Sequence, residues 1–217
     1  MQVRRVTAST NELLDPGATG WAQAEETPVD MLPTSIALQP TEYIQKTFAD
    51  RPYGHVTQIK VRCVHNGDNM FIRIEWAEPN PTRQITDITT FVDGCGVLFP
   101  VAGDTVITEM GSVSQPVNAW LWRPDLGEKP ISVTATSRGT SVRYTTNPLV
   151  SGSIWKEGAW QVVIGRPFQV AQPHRRMIEL KPGKTVKAGF AIWRGSNQER
   201  GGIKAYSPNW NDLNIEA

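Results

Sequence analysis

Two stretches carry side chains that their surroundings do not explain. In "ITEMGSVSQPVNAWLW", Ile107 to Trp122, a methionine stands before a glycine where polar loop residues are expected, and tryptophans follow. In "ERGGIKAYSPNW", Glu199 to Trp210, a lysine sits behind two glycines among apolar and aromatic residues. A thioether is a soft metal donor, and a lysine amine donates only once its proton is held off. Each also has a plainer role, because a loop methionine usually fills a core gap and a lone lysine is usually a solvated charge. The two stretches are candidates for one site. Other chemistry finds less support. His55, His65 and His174 are scattered without metal-ligand spacing, and no GxSxG, HExxH or Gly-rich phosphate loop occurs. Asp87, Asp93 and Asp104 share a region, but their spacing is not that of a calcium loop, so they read as loop carboxylates.

The elements that must position these residues are mostly strands. "HVTQIKVRCVH", "NMFIRIEWAE", "ISVTATSRGTSVRYTT", "GAWQVVIGRPFQV" and "KTVKAGFAIWRG" are rich in β-branched and aromatic residues, several in period-two alternation. Ile59, Val61 and Cys63 share one face, Met70, Ile72, Ile74 and Trp76 another, and the intervening "NGDN" is hairpin chemistry, so the two runs should pair antiparallel. "WKEGAW" and "LKPGKT" read as turns. The expected fold is mainly β, an antiparallel β-sandwich with a few short helices and long ordered loops. No linker divides the 217 residues, which read as one domain, 1–217, with residues 1–50 as an extended segment packed on it. Prolines 28, 33 and 40 suggest that "WAQAEETPVDMLPTSIALQP" runs over the surface, pinned by Trp21, Met31 and Leu32.

Twenty-two Lys+Arg against 21 Asp+Glu leave a net charge of +1, which argues against bulk nucleic acid or an anionic membrane surface as partner. No apolar run is long enough to span a bilayer, and "MQVRRVTASTNELLDPG" lacks the apolar core of a secretory signal. Cys63 and Cys95 have no CxxC or CxxCH spacing and lie in apolar strand-like runs, so they are expected to be free and buried, and covalent haem attachment is excluded.

The block "FVDGCGVLFP" (Phe91 to Pro100), then "EMG" (Glu109 to Gly111), then "PVNAWLW" (Pro116 to Trp122) resembles the haem-binding γ subunits of periplasmic molybdenum enzymes of the dimethylsulfoxide-reductase superfamily, ethylbenzene dehydrogenase being the type. The resemblance continues through "FAIWRGSNQERGGIKAYSPNW" and "LLDPGATGWAQAEETPVDMLP", covering nearly the whole chain in the family's order. One departure is "GCG", Gly94 to Gly96, where relatives often carry alanine or valine after the aspartate.

The resemblance implies one b-type haem with Met110 and Lys204 as axial ligands to the iron. Methionine favours ferrous iron and raises the haem potential. Lysine must bind as the neutral amine although its free pKa is about 10.4. His174 is the fallback second ligand, and Arg175, Arg176, Arg194 and Arg200 are candidate propionate partners. Trp120 and Trp122 read as packing rather than electron relays. The family further implies a non-catalytic electron-transfer subunit in a heterotrimer, beside an iron–sulfur β subunit and a molybdenum-containing α subunit. The molybdenum cofactor and iron–sulfur clusters would lie only in those partners, and a soluble carrier such as a cytochrome c would exchange electrons with the haem. Export to the periplasm would depend on a partner's signal. Two rivals stand beside this: a carbohydrate-binding β-sandwich module using surface tryptophans, and a structural subunit without haem. An enzyme with its own substrate site ranks last, since no acid, base or nucleophile set stands out.

Overall fold

The structure, a computed structural model, describes residues 1–103, 105–127 and 129–217; Asp104, one of the three loop aspartates above, lies outside the described residues. The strands are β1 (Gln2–Arg5), β2 (Thr27–Asp30), β3 (Leu32–Pro33), β4 (Gln58–His65), β5 (Asn69–Ala77), β6 (Gly94–Pro100), β7 (Val117–Trp122), β8 (Ile131–Ser137), β9 (Thr140–Arg143), β10 (Val150–Lys156), β11 (Ala159–Pro167), β12 (Thr185–Trp193), β13 (Ala205–Tyr206) and β14 (Asn211–Ile215). Two short helices, α1 (Thr10–Leu14) and α2 (Glu42–Phe48), accompany them. Among the described residues no helix is long and apolar enough to cross a membrane.

The fold is a β-sandwich whose two sheets share a strand. The order runs β10-β11-β5-β4-β1-β14-β12-β6-β7-β8-β9. Residues Thr185 to Ala188 of β12 pair with β14, and Gly189 to Trp193 of the same strand pair with β6. One strand thus turns the corner between the sheets, a known device of sandwiches.

Alternation explains what meets between them. Val61, Ile72, Trp76 and Trp160 from the first sheet form one buried cluster with Val97, Phe99, Trp120, Trp122 and Phe190 from the second. Trp122 lies edge-on to Trp160 at 5.1 Å between ring centroids and to Trp76 at 6.3 Å, geometries that rings favour over face-to-face stacking.

The expected hairpins form. Cys63 faces Ile72 and Val61 faces Ile74 across β4 and β5, with the "NGDN" turn closing them. Trp155 faces Trp160 across β10 and β11, where Glu157 (φ 55°) and Gly158 (φ 79°) make the left-handed two-residue turn. Cys63 and Cys95 are buried free thiols, and burial pushes the Cys63 thiol up to about 12.

The N-terminal residues are tied into the sheets at several points, and of the three expected pins of Trp21 to Pro40 two hold. β1 lies inside the first sheet, parallel to both β4 and β14, and β2 pairs with β4. Trp21 and Met31 are buried, but Leu32 is 50% exposed and pins nothing. The strand bonds decide this: β3 pairs with β13, which turns the Leu32 side chain outward while the backbone stays in the sheet.

Candidate functional site

The outer face of the second sheet is apolar, contrary to the polar alternation of a solvent-facing sheet. Leu98, Val117, Ala119, Val133, Ala135 and Ala191 cluster there, with Met110, Leu121 and Trp193 packed at the margin. Along β7 the pattern is plain: Trp120 and Trp122 point into the sandwich, while Val117, Ala119 and Leu121 point out. Three residues of the cluster, Ala119, Ala135 and Ala191, are alanines, so the face is shallow. Above it lies a cavity of about 400 Å³, walled also by Thr34, Ser35 and Leu38 to Pro40, by Met110, by Ser137 to Ser141, and by Gly201, Gly202, Lys204 and Tyr206. That is within the range of small-ligand pockets, roughly 300–1,000 Å³.

Met110 enters this wall from a strained loop. The 3-10 turn Ile107–Glu109 ends on Met110 in the left-handed region, φ 57° and ψ 33°. For a non-glycine residue that costs about 1–2 kcal/mol, and such outliers cluster at functional sites. Gly111 follows at φ 85°, where a side chain would lie 2.9 Å from Ala135 O, Gln115 O and Val117 N. The loop is therefore pressed against β7 and β8, with Ile107 buried beneath and Trp210 Nε1 donating to Thr105 O at 2.8 Å. These contacts hold the methionine where it stands.

Lys204 comes from the opposite end of the sequence. Buried Glu199 accepts from the backbone N–H groups of Gly54 and Arg194 at 2.8 and 2.9 Å, fixing the start of the Gly-Gly loop. Ile203 and Ala205 are buried, so the period-two alternation sends Lys204 and Tyr206 to the cavity side. Thr34 completes the clasp: its N–H donates to Lys204 O at 3.0 Å and its hydroxyl to Gly202 O at 2.6 Å. The Lys204 Nζ lies 5.0 Å above the Trp193 ring and makes one long bond, 3.5 Å, to Gly201 O. Burial pushes its pKa down to about 8, which brings the neutral amine within reach near neutral pH.

Gln39 was not singled out from the sequence. Its amide donates to Gly202 O at 3.1 Å and to Ser35 O at 3.3 Å, yet its buried Oε1 has no partner. A side chain on Gly202 would lie 2.0 Å from that oxygen, so glycine there is what lets the amide pack. No sequence pattern marks this residue; only the path of the Pro-rich segment over the cavity reveals it.

The other sequence candidates lie elsewhere. His174 is exposed and stacks on Tyr144 at 4.4 Å, outside the cavity wall, which removes it as a second ligand at this site. Arg175, Arg176, Arg194 and Arg200 are also absent from the wall; Arg194 is held by buried Glu78 at 2.8 and 3.1 Å, and Arg200 lies 4.1 Å over Phe91. The cavity's arginine is Arg138. Asp93 accepts from Thr82 N, Trp160 Nε1 and Gly195 N; burial raises its pKa to about 6, so it is a structural clamp. Asp87 binds Thr89 and Thr90 in its own loop. Among the described residues no group of three or more His, Cys, Asp or Glu could hold a metal ion.

The sequence is similar to known proteins over most of its length. The model of the family described as ethylbenzene dehydrogenase matches residues 18–147 and 146–205. The chain is 30% identical to the chlorate reductase subunit gamma of Ideonella dechloratans over 96% of its own length and 82% of the relative's. It is 28% identical to the dimethylsulfide dehydrogenase subunit gamma of Rhodovulum sulfidophilum, covering 90% and 73%. A protein of Haloferax mediterranei that carries the name of a respiratory nitrate reductase heme subunit is also 28% identical, covering 81% and 65%. Among solved structures, a family 9 carbohydrate binding module from Caldicellulosiruptor kristjanssonii shares the fold alone, with a TM-score of 0.54 at 7% identity over 100% of this chain and 95% of that one. A cavity built from the Met-Gly and Gly-Gly-x-Lys loops, inside a match that spans both, leads to one conclusion: the chain belongs to the ethylbenzene dehydrogenase family.

Proposed function

We propose that the cavity holds one b-type haem with Met110 and Lys204 as its axial ligands, and that the chain is the electron-transfer subunit of a molybdenum oxidoreductase complex. One observation carries the reading: a thioether and a lysine with a depressed pKa stand in the wall of a single apolar cavity.

The residues present fit such a group. Ala119, Ala135 and Ala191 leave room above the sheet for a flat apolar body. Gly111 and Gly202 belong to the loops that carry the ligands, where a side chain would collide with Ala135 O, Gln115 O and Val117 N in one case and with Gln39 in the other, and the unpartnered Gln39 Oε1 offers an acceptor beside the lysine loop. A b-type haem bound there supplies a one-electron carrier with no open coordination position. The chain does the rest. Its left-handed turn presents the Met110 sulfur, burial favours the unprotonated Lys204 amine, and the apolar floor keeps water from both. Electron transfer demands no acid, base or nucleophile set from this chain.

The complex is read from the relatives. Two carry the name of gamma subunits, of chlorate reductase and of dimethylsulfide dehydrogenase, and a third that of a heme subunit. On this reading an iron–sulfur β subunit and a molybdenum-containing α subunit complete a heterotrimer, a soluble carrier such as a cytochrome c exchanges electrons with the haem, and the assembly works in the periplasm after export with a signal-bearing partner. Residues 1–217 act as one domain, with residues 1–50 supplying part of the cavity wall.

The carbohydrate-binding alternative loses its support. It needs exposed tryptophans, whereas Trp21, Trp76, Trp120, Trp122 and Trp160 are at most 3% exposed, Trp193 faces the cavity, and the half-buried Trp155 and Trp210 commit their indole N–H groups to Glu78 O and Thr105 O. The test is haem content. Protein made with its partners and ample haem should give one haem per chain by pyridine haemochrome, with a six-coordinate low-spin spectrum. A preparation without a Soret band contradicts the reading.

A further inference from the structure

We propose that the tip of the β8–β9 hairpin anchors the carboxylate arms of the cavity's ligand, with Arg138 as the cation; this rests on the haem reading above. A b-type haem is a flat apolar body with two carboxylates on one edge. Its site needs a polar, cationic border as well as an apolar floor.

Only part of the wall has that character. Five consecutive residues, Ser137 to Ser141, line the cavity, and Arg138 is the one cationic side chain among the cavity-lining residues besides Lys204. A regular strand would send alternate residues away from the site. The hairpin avoids this through an irregularity: Ala135 pairs with Ser141, but Ser137 pairs with Thr140, so Thr136 is an extra residue in β8. Such a bulge bends its strand and re-aims the side chains beyond it. Gly139 then closes the tip at φ +77°, a conformation that strains any other residue.

Arg138 is also available. Its ion pair with Glu109 is long, 3.5 Å, with the two side chains 37% and 55% exposed. A pair of that kind contributes little and exchanges readily for another carboxylate. The contrast with Arg194, locked by two short bonds to buried Glu78, is one of commitment. The hydroxyls of Ser137, Thr140 and Ser141 lie in the same border and supply neutral donors. Glu109 immediately precedes Met110, so a carboxylate arm that takes Arg138 from it acts beside the loop that presents the thioether.

The test compares two porphyrins. The full chain, with haem removed, is titrated with iron protoporphyrin IX and with its dimethyl ester, which lacks the carboxylate charges. Wild-type protein should bind the free acid about tenfold tighter, the low end of what hydrogen bonds to a charged group provide. Arg138→Ala should bind both alike, Arg138→Lys should keep part of the preference, and Arg176→Ala, outside the wall, should keep all of it. Each complex should retain the low-spin spectrum of the wild type. A wild-type preference that survives in Arg138→Ala, or a wild type that binds both porphyrins equally, overturns the anchor and leaves the haem site standing. Wild-type protein that binds neither overturns both.

Discussion

Each sheet of the sandwich carries an apolar patch on its outer face, beside Lys60, Arg62, Arg73 and Glu75 on the first sheet, and the two patches are finished differently. On the first sheet, Val64, Phe71 and Val163 lie beneath Leu13 of α1 and Trp21 of the turn that follows, and the chain closes its own surface. The fit is tight: a side chain on Gly152 would lie 1.9 Å from Leu14 O. On the second sheet, three alanines lie among Leu98, Val117 and Val133 on the outer face, and loops rise around it to leave a cavity. Large interdigitating side chains mark the face completed by protein, and smaller ones under a ring of loops leave the other face open to the cavity. Two sheets of one domain show both solutions.

The comparison is tested first where it predicts the largest effect. Leu13→Ala on the covered face should cost about 3 kcal/mol of stability, as large-to-small core substitutions do, measured by urea unfolding, with haem affinity unchanged. Ala119→Phe on the open face should do the reverse. Haem uptake is lost, while apo-protein stability shifts by no more than about 1 kcal/mol because the cavity accepts the ring.

How much of this contrast was legible in the residues can be judged from particular strands. The β4–β5 and β10–β11 hairpins are readable from alternation and turn chemistry, because each has one dominant face and a short glycine turn. β6 and β7 escape that reading: Gly94 and Gly96 dilute the first, and "VNAWLW" is apolar on both faces, so period-two alternation is blurred. That blur is itself the signal of the open face. That Met110 and Lys204 could share one site was readable from their odd surroundings, whereas a ligand role came only from resemblance, because nothing local distinguishes a ligand from a core filler or a solvated charge. Gln39 and Arg138 were not legible at all. One depends on where a Pro-rich segment crosses the sheet, the other on a single bulged residue, and both are tertiary facts.

A third prediction concerns pH on the open face. Lys204 titrates at about 8 in the fold and near 10.4 in an unfolded chain, so between those values the unfolded state holds the extra proton and apo-protein stability rises with pH. Thermal unfolding of wild type against Lys204→Met should show this rise only in the wild type. The same proton must leave when the amine binds iron, so haem affinity should fall below pH 8, by about tenfold per unit. The smallest effect belongs to the border. Glu109→Ala removes only the long, exposed pair with Arg138, and unfolding should move by less than about 1 kcal/mol.

The most direct measurement is the absorption spectrum, oxidised and dithionite-reduced, of the haem-loaded wild type beside Met110→Ala and Lys204→Ala. The account predicts a six-coordinate low-spin haem in the wild type and conversion to high spin, or loss of haem, in both variants. A low-spin spectrum unchanged in either variant would contradict it, because the iron would then be held by a residue other than the two that this cavity brings together.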